Sequence, residues 1–249
     1  MREWVLPYYL RSIYELEYDK RLIDIYWIVN NSTDNSYEML REFKQKYHAE
    51  YRSIKIEIIN SNVKFEDDRN DYIRKTYTYE WLSALRNKIM DYCVSNKNDY
   101  LFSSDSDIIL KKDTLTRLVE HDKQIVSSLI YNGYIFLDIE NAYKYTNVLN
   151  NITNTNYVHK VNFRTKFPEK NPYGMIISCS FTGACVLMTR EVCSKTRYAW
   201  HEQGEDEFWS RTAKNAGFNL WCDISLFNYH AMEQSILDYF VGKGFVEKI

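Results

Sequence analysis

Residues Tyr100–Asp113 read "YLFSSDSDIILKKD". An apolar run passes into Ser103-Ser104-Asp105-Ser106-Asp107 and becomes apolar again at Ile108-Ile109-Leu110. The pattern is that of a buried strand ending in a polar turn. Asp105 and Asp107 stand two residues apart with apolar neighbours on both sides. Like charges held so close repel, and a partly buried carboxylate is costly unless something compensates it. A divalent cation is one compensation; exposure in the turn is another.

Outward from this turn, the chain alternates strand-like and helix-like stretches. On the amino side, Leu6–Leu16 has helical spacing, and "IDIYWIV" (Ile23–Val29) is a short apolar run bounded by polar turns, hence a strand. "NNSTDNS" then signals a turn and helix N-cap, because Asn, Ser and Asp side chains compete for backbone hydrogen bonds. The spacing predicts a helix over Ser36–Tyr47, a strand over Ile54–Ile59, a polar excursion over Asn60–Thr78 and a helix over Tyr79–Val94. After the Asp99–Ser103 strand, Asp113 is expected to cap a helix ending near Glu120, and Gln124–Tyr131 reads as a strand. Beyond Gly133 the periodicity breaks, and Asp138–Pro172 reads as an insertion over one end of the sheet. Met175–Ser180 and Ala184–Thr189 read as strands, Glu205–Ala216 as a helix stopped by Gly217, and Phe218–Cys222 as a last strand. This order predicts an α/β fold: a Rossmann-like, mostly parallel sheet flanked by helices, with a smaller antiparallel section. No repeat or linker interrupts residues 1–249, so one domain is expected, with halves at 1–131 and 132–249.

The composition agrees. Hydrophobic residues make up 45% of 249, enough for a sizeable core. Lys+Arg number 32 against Asp+Glu 34, a net charge of -2, which is no footprint for non-specific nucleic-acid binding. The 5 cysteines include no C-x-x-C pair, which argues against a disulfide framework or zinc knuckle and for a reducing compartment. No apolar run approaches eighteen residues and no signal-peptide core is seen, so a soluble, cytoplasmic protein is expected. The 22 Tyr beside abundant Asn, Lys and Ile match an AT-rich, bacterial genome, and most of these tyrosines are read as core and rim residues.

Sheets of this kind bind ligands outside the carboxyl ends of their strands. Polar clusters fall there at Asn30–Asn35, Asp105–Asp107 and His230, and an acidic run, Gly204-Glu205-Asp206-Glu207, opens a helix. The helix dipole by itself accounts for acids in that first turn. The order of these motifs, however, resembles that of GT-A fold nucleotide-sugar glycosyltransferases of the family-2-like, Asp-x-Asp type. "VNNSTDNS" resembles that family's turn after its second strand. "ALRNK" resembles its A-x-R-N helix segment, and "YLFSSDSD" its Asp-x-Asp strand. "GEDEFW", about a hundred residues later, resembles its acceptor-side helix start, and "FNYHAM" carries a final His. The resemblance covers nearly the whole chain.

The resemblance implies a metal-dependent glycosyltransferase moving a sugar, a hexose by expectation, from a UDP-sugar, with a GDP-sugar as alternative, to a hydroxyl-bearing glycan, protein or lipid-linked acceptor. It implies Mn2+ or Mg2+ held by Asp105, Asp107 and His230, offsetting charge that grows on the departing diphosphate. Asn30, Asn31, Asp34, Arg86, Asn87, Asp105, Ser106 and Gly183 are implied in donor binding. Asn30 and Asn31 replace an acidic pair, and an amide can both accept from and donate to a base. Asp206, with Glu205 as competitor, is implied as the base that takes the acceptor proton. Each has a plainer reading: a structural imidazole for His230, a solvated helix face for Arg86 and Asn87, turn ordering for Asp34, a strand-start glycine for Gly183. Trp209 is expected to pack its helix, and Trp200 and His201 could line an acceptor site. The resemblance also implies a first, central strand ahead of "REWVLPYYLRSI", for which the chain has no residues, so that strand is expected to be absent. Rival readings are a non-catalytic nucleotide or sugar-binding module, or a nucleotidyltransferase, which the lack of a Gly-rich phosphate loop disfavours.

Overall fold

The computed structural model describes residues 2–61, 76–130 and 176–249 together with the strand Val148–Leu149. The rest of the Asp138–Pro172 insertion and most of the Asn60–Thr78 excursion lie outside the described residues. Helix α1 (Leu6–Tyr14) carries Pro7, a residue preset for a first helical turn, next to its start and turns Leu6, Tyr9 and Leu10 inward. Strand β1 (Asp24–Asn30) alternates buried and half-buried positions and pairs in parallel with β2 (Ser53–Ile59), from Asp24 opposite Ser53 to Asn30 opposite Ile59. Helix α2 (Ser36–Tyr47) returns between them and packs Leu40 and Phe43 on Trp27, Val29 and Ile54, with Leu6 and Tyr9 of α1 in the same apolar cluster.

The long helix α3 (Thr76–Ser95) leads to β3 (Tyr100–Ser103), the strand of the opening motif, followed by β4 (Ile108–Ile109). Helix α4 (Thr114–Glu120) starts at Asp113, whose side chain makes no cap bond and pairs instead with Arg117 at 3.6 Å. Strand β5 (Ile125–Leu129) is buried throughout. The short β6 (Val148–Leu149) pairs with β8 (Phe181–Thr182). Strands β7 (Ile176–Cys179) and β9 (Val186–Thr189), helix α5 (Arg190–Lys195), helix α6 (Glu205–Asn215), strand β10 (Leu220–Phe227), strand β11 (Tyr229–His230) and helix α7 (Gln234–Gly242) complete the chain. Gly217, at φ +90°, lets the chain leave α6, as the stop signal suggested.

One sheet runs in the order β3-β9-β5-β10-β7. β10 is parallel to β5, whereas β9 is antiparallel to β3 and β5, and β7 is antiparallel to β10. Hence β3, β5 and β10 share one direction, and β9 and β7 run against it. β1 and β2 form a separate pair in which, among the described residues, no ladder joins β1 to β3. The apolar interior divides accordingly. One cluster lies under β1–β2, and two lie on the faces of the larger sheet, around Trp209, Met90 and Leu220 and around Leu118, Leu187 and Leu226. A further cluster seats α7 against Ile109 and Val5. All 5 cysteines are buried and free. No helix among the described residues is long and apolar enough to cross a membrane.

Candidate active site

A cavity of about 1450 Å3 opens where the carboxyl ends of β1 and β3 meet the start of α6. Its wall includes Asn30, Asn31, Asp105, Ser106 and Asp107 from the strand ends, Arg86 from α3, Glu205 and Asp206 from α6, and His230 from β11. Sequence positions spread over two hundred residues therefore converge on one place. Asp34, Asn87 and Gly183, which the sequence also singled out, are not in that wall.

The turn after β3 separates its two acids. The Ile108 N–H donates to the Asp105 carbonyl, and β4 pairs with β11 so that Ile108 faces His230. That register brings His230 Nε2 to 3.4 Å from Asp107 Oδ1, and the Ala231 N–H donates to the Asp107 carbonyl. Asp107 is nearly buried, with its side chain 5% exposed, and its Oδ2 meets the Arg2 guanidinium at 2.7 Å. Burial by itself would raise the Asp107 carboxyl, but the His230 imidazole and the Arg2 guanidinium outweigh it and hold it at about 2. Asp105 is 41% exposed and lies 3.4 Å from Arg86. The two carboxylates thus each have their own guanidinium. Arg2 had carried no signal in the sequence, since its partner is 105 residues away along the chain.

Arg86 is the hub of the opposite wall. Its Nε donates to Glu205 at 3.1 Å and lies 3.9 Å from Asp206, while its guanidinium sits over the Tyr198 ring at 5.6 Å. Burial acts to lower the guanidinium pKa, but Asp105, Asp206 and Glu205 outweigh it and hold the group firmly charged. Glu205 is buried, which an uncompensated carboxylate could not sustain. Gly204 precedes it at φ +105°, a backbone region that favours glycine, with the Tyr79 ring against it. Asn87 spends its amide on one backbone: its Nδ2 donates to the Tyr198 carbonyl at 2.9 Å and its Oδ1 accepts from the Tyr198 N–H at 2.8 Å. Both ends of its amide are therefore engaged by the chain itself. Tyr198 stacks on Trp209, and Trp209 is fully buried with its Nε1–H donated to Thr196, a packing role as expected.

Gly183 has a reason the sequence did not suggest. A Cβ built there would lie 2.2 Å from Asp206 Oδ2, so the missing side chain makes room for Asp206. Ala184 follows at φ +50°, a conformation costing an alanine about 1–2 kcal/mol, in the cavity wall. At the far wall, Asn31 (φ +47°) accepts from the Ser61 N–H, and Asn30 Oδ1 is buried without a hydrogen-bond partner. Asp34 orders the turn. Burial would raise its carboxyl, but bonds from Ser36, Ser32 and the Glu3 N–H hold it at about 2. His201 accepts from the Gln203 N–H and Trp200 is exposed; neither reaches the cavity wall.

Four carboxylates (Asp105, Asp107, Glu205, Asp206) face two guanidinium groups (Arg2, Arg86), leaving two negative charges before His230 is counted. Among the described residues no cluster of three His, Cys, Asp or Glu donors is assembled. Asp107 and His230 do converge, and Asp107 Oδ1 makes no hydrogen bond. Small hard cations commonly take one or two protein carboxylates and fill their remaining positions with substrate phosphates and water, so this donor pair fits such an ion.

The mixed α/β architecture resembles that of a GT-A glycosyltransferase, and comparison with known proteins bears out the fold. A mannosyltransferase from Pyrobaculum calidifontis, solved with GDP-Man and Mn2+, superposes with a TM-score of 0.51 at 12% identity, over 92% of this chain and 54% of that one. The family model described as glycosyltransferase family 25, N-terminal domain, matches residues 2–177, and the chain belongs to that family. The match is thus to family 25 rather than to the family-2 type the motifs suggested. A glycosyltransferase 25 family member of Drosophila melanogaster is 26% identical over 140 residues, 53% of this chain but 22% of that relative. The chain accordingly spans only part of the length of each of these relatives.

Proposed function

We propose that the chain transfers a hexosyl group from a nucleotide-sugar donor to a hydroxyl acceptor, with the strand-end cavity as its active site. The observation that carries this reading is the convergence of Asp105, Asp107, Arg86, Glu205, Asp206 and His230 on one cleft with a surplus of negative charge. A diphosphate donor is itself anionic, and that surplus calls for a cation between the two. Asp107 and His230 would hold a divalent ion, Mn2+ or Mg2+, with Asp105 as a further carboxylate of the same turn. When bound, such an ion supplies positive charge beside the leaving diphosphate. Arg86 and Arg2 add fixed positive charge from either wall. Asn30, with its free buried acceptor at the end of β1, suits an N–H of the base, and a UDP-sugar is favoured over a GDP-sugar.

In this scheme Asp206 takes the proton of the acceptor hydroxyl as its oxygen bonds to the anomeric carbon. The bond from that carbon to the phosphate oxygen breaks, and the nucleoside diphosphate leaves with the electron pair. Glu205, tied to Arg86, keeps the first turn of α6 in place so that Asp206 stays against Gly183.

The test is release of nucleotide from UDP- and GDP-hexoses by the purified chain with Mn2+. Neither binding nor turnover of any of them would end this reading. Asp107→Asn should remove metal-dependent turnover, and Asp206→Asn should keep donor binding while stopping transfer. A second reading, binding without turnover, draws on the Arg2–Asp107 ion pair, which already offsets the charge of the carboxylate that a cation would need. Calorimetry showing tight nucleotide binding beside zero turnover selects it.

A further inference from the structure

Strand β10 leaves the sheet at Phe227, opposite Leu129 of β5, and β11 begins at Tyr229. Asn228 is the one residue between them and stands two positions before His230. It is fully buried, and its backbone N–H donates to the Leu129 carbonyl at 3.0 Å. It lies outside the cavity wall, so the transfer chemistry gives its side chain no direct part. A polar side chain buried to that extent is costly unless each hydrogen-bonding group finds a partner.

Each group does. Oδ1 accepts from the Lys111 N–H at 2.8 Å and from the Thr114 hydroxyl at 2.9 Å. Nδ2 donates to Ser128 Oγ at 2.8 Å and to Cys185 Sγ at 3.4 Å. An amide offers two donors and two lone pairs, so its capacity is used in full. Its orientation is fixed as well, because a backbone N–H only donates and Lys111 therefore requires the oxygen. The partners belong to two parts of the fold. Ser128 lies in β5, and Cys185 directly precedes β9, which pairs with β5 in the central sheet. Lys111 lies just past β4, and Thr114 opens α4. One side chain thus ties the segment after β4 to the middle of the sheet, while its own backbone leads into β11.

That tie bears on the donor pair of the cleft. β4 and β11 have two residues each and meet through Ile108 opposite His230 and Ile109 opposite Tyr229. A ladder so short does not hold itself in place. Ile108 packs in the apolar cluster of Leu118, and Ile109 in that of Leu237, but such packing is non-directional. The Asn228 bonds are directional, and they reach both sides of the contact. Asp107 lies four residues before Lys111, and His230 two residues after Asn228.

We propose that Asn228 is a positioning residue, whose amide locks β4 and β11 to the central sheet and so holds Asp107 and His230 together as the donor pair for a divalent cation. The use of that pair rests on the transferase reading above; the lock itself does not.

The test compares Asn228→Ala with Val192→Ala, a large-to-small change in the buried core on α5, away from the cavity wall. Both variants should melt earlier than the parent, so the deciding readouts are two others. One is Mn2+ affinity, measured by electron paramagnetic resonance on the chain without nucleotide. The other is hydrogen exchange at the Ala231 amide, which donates to the Asp107 carbonyl at 2.8 Å. Asn228→Ala should weaken Mn2+ binding by about tenfold or more, the usual loss when an outer partner of a metal site is removed. It should also speed Ala231 exchange by about tenfold relative to Val192→Ala. Thr114→Val combined with Ser128→Ala deletes one bond from each end of the amide and should move both readouts the same way. That double variant carries the test if Asn228→Ala does not fold. Parent-like Mn2+ affinity or parent-like Ala231 exchange in the variants that cut the tie overturns the proposal, as does an equal loss in Val192→Ala. Failure of Mn2+ to bind the parent overturns the cation reading instead, and Ala231 exchange then judges the lock by itself.

Discussion

Arg86 offers the sharpest test of how the cleft is held together. Arg86→Met keeps most of the side chain's length and packing but deletes the guanidinium. Three carboxylates then lose their shared counter-charge: Glu205 at 3.1 Å, Asp105 at 3.4 Å and Asp206 at 3.9 Å. They do not count equally. Asp105 is 41% exposed, so water screens it and its share is below about 1 kcal/mol. Glu205 is 7% exposed against 14% for Arg86, so that contact is an interior pair, and stripping one partner from such a pair costs about 3–5 kcal/mol. The expected loss at pH 7 is therefore about 4 kcal/mol, roughly a 10 °C fall in Tm for a chain of this size. The loss should depend on pH in a set direction. A carboxylate left buried without its counter-charge binds its proton more tightly folded than unfolded. The penalty is complete above that raised titration range and fades as pH falls through it toward the unfolded value. Urea melts at pH 7 and pH 4.5 should thus show a smaller difference between variant and parent at the lower pH. A loss below about 1 kcal/mol, or one unchanged at pH 4.5, would refute the hub role.

Three further outcomes follow from the same geometry. Asp107→Asn removes a carboxylate held at about 2, against an ordinary 3.8, and should cost about 2 kcal/mol at neutral pH. Because the folded value is depressed, that contribution is present above about pH 4 and is lost as pH falls toward 2, which acid melts of parent and variant would reveal. Gly183→Ala places a methyl against Asp206 and should lower kcat by about a hundredfold with little change in Tm or donor affinity; unaltered transfer would show that Asp206 has no need of its present position. Asp223, fully buried in β10, accepts from Arg117 at 2.7 Å and bonds His121 at 2.8 Å. Burial would raise its carboxyl, but the Ser225 hydroxyl, His121 and Arg117 hold it low. Asp223→Ala should cost about 3–5 kcal/mol at pH 7 in chemical denaturation, and the parent should lose that margin as pH drops below the ordinary carboxylate range.

Much of this molecule was legible in the order of its residues. Periodicity located β1, α2, β2, α3, β3 and α6 to within a few residues, because each has a local apolar pattern tied to one repeat length. The short α5, β11 and α7 went unread. A two-residue strand such as Tyr229–His230 has no period of its own and exists only through its pairing with Ile108–Ile109. The acids were equally visible in "SSDSD" and "GEDEF", since unusual spacing in an apolar setting is a one-dimensional signal. Their partners were not. Glu205 meets an arginine 119 residues earlier and Asp107 one 105 residues earlier, and no local pattern encodes that proximity. The role of Gly183 depended likewise on where Asp206 points.

The sequence by itself determined the alternation of elements, the apolar faces and which charged groups stand at strand ends, because those follow from neighbours a few residues apart. Only the tertiary structure decided which cation answers each carboxylate, that Asn87 serves a backbone, and that, among the described residues, β1 and β3 belong to separate sheets. Ion pairing and strand adjacency are set by packing between elements distant in the chain, and the burial that makes a lone carboxylate costly arises only once those elements have closed over it.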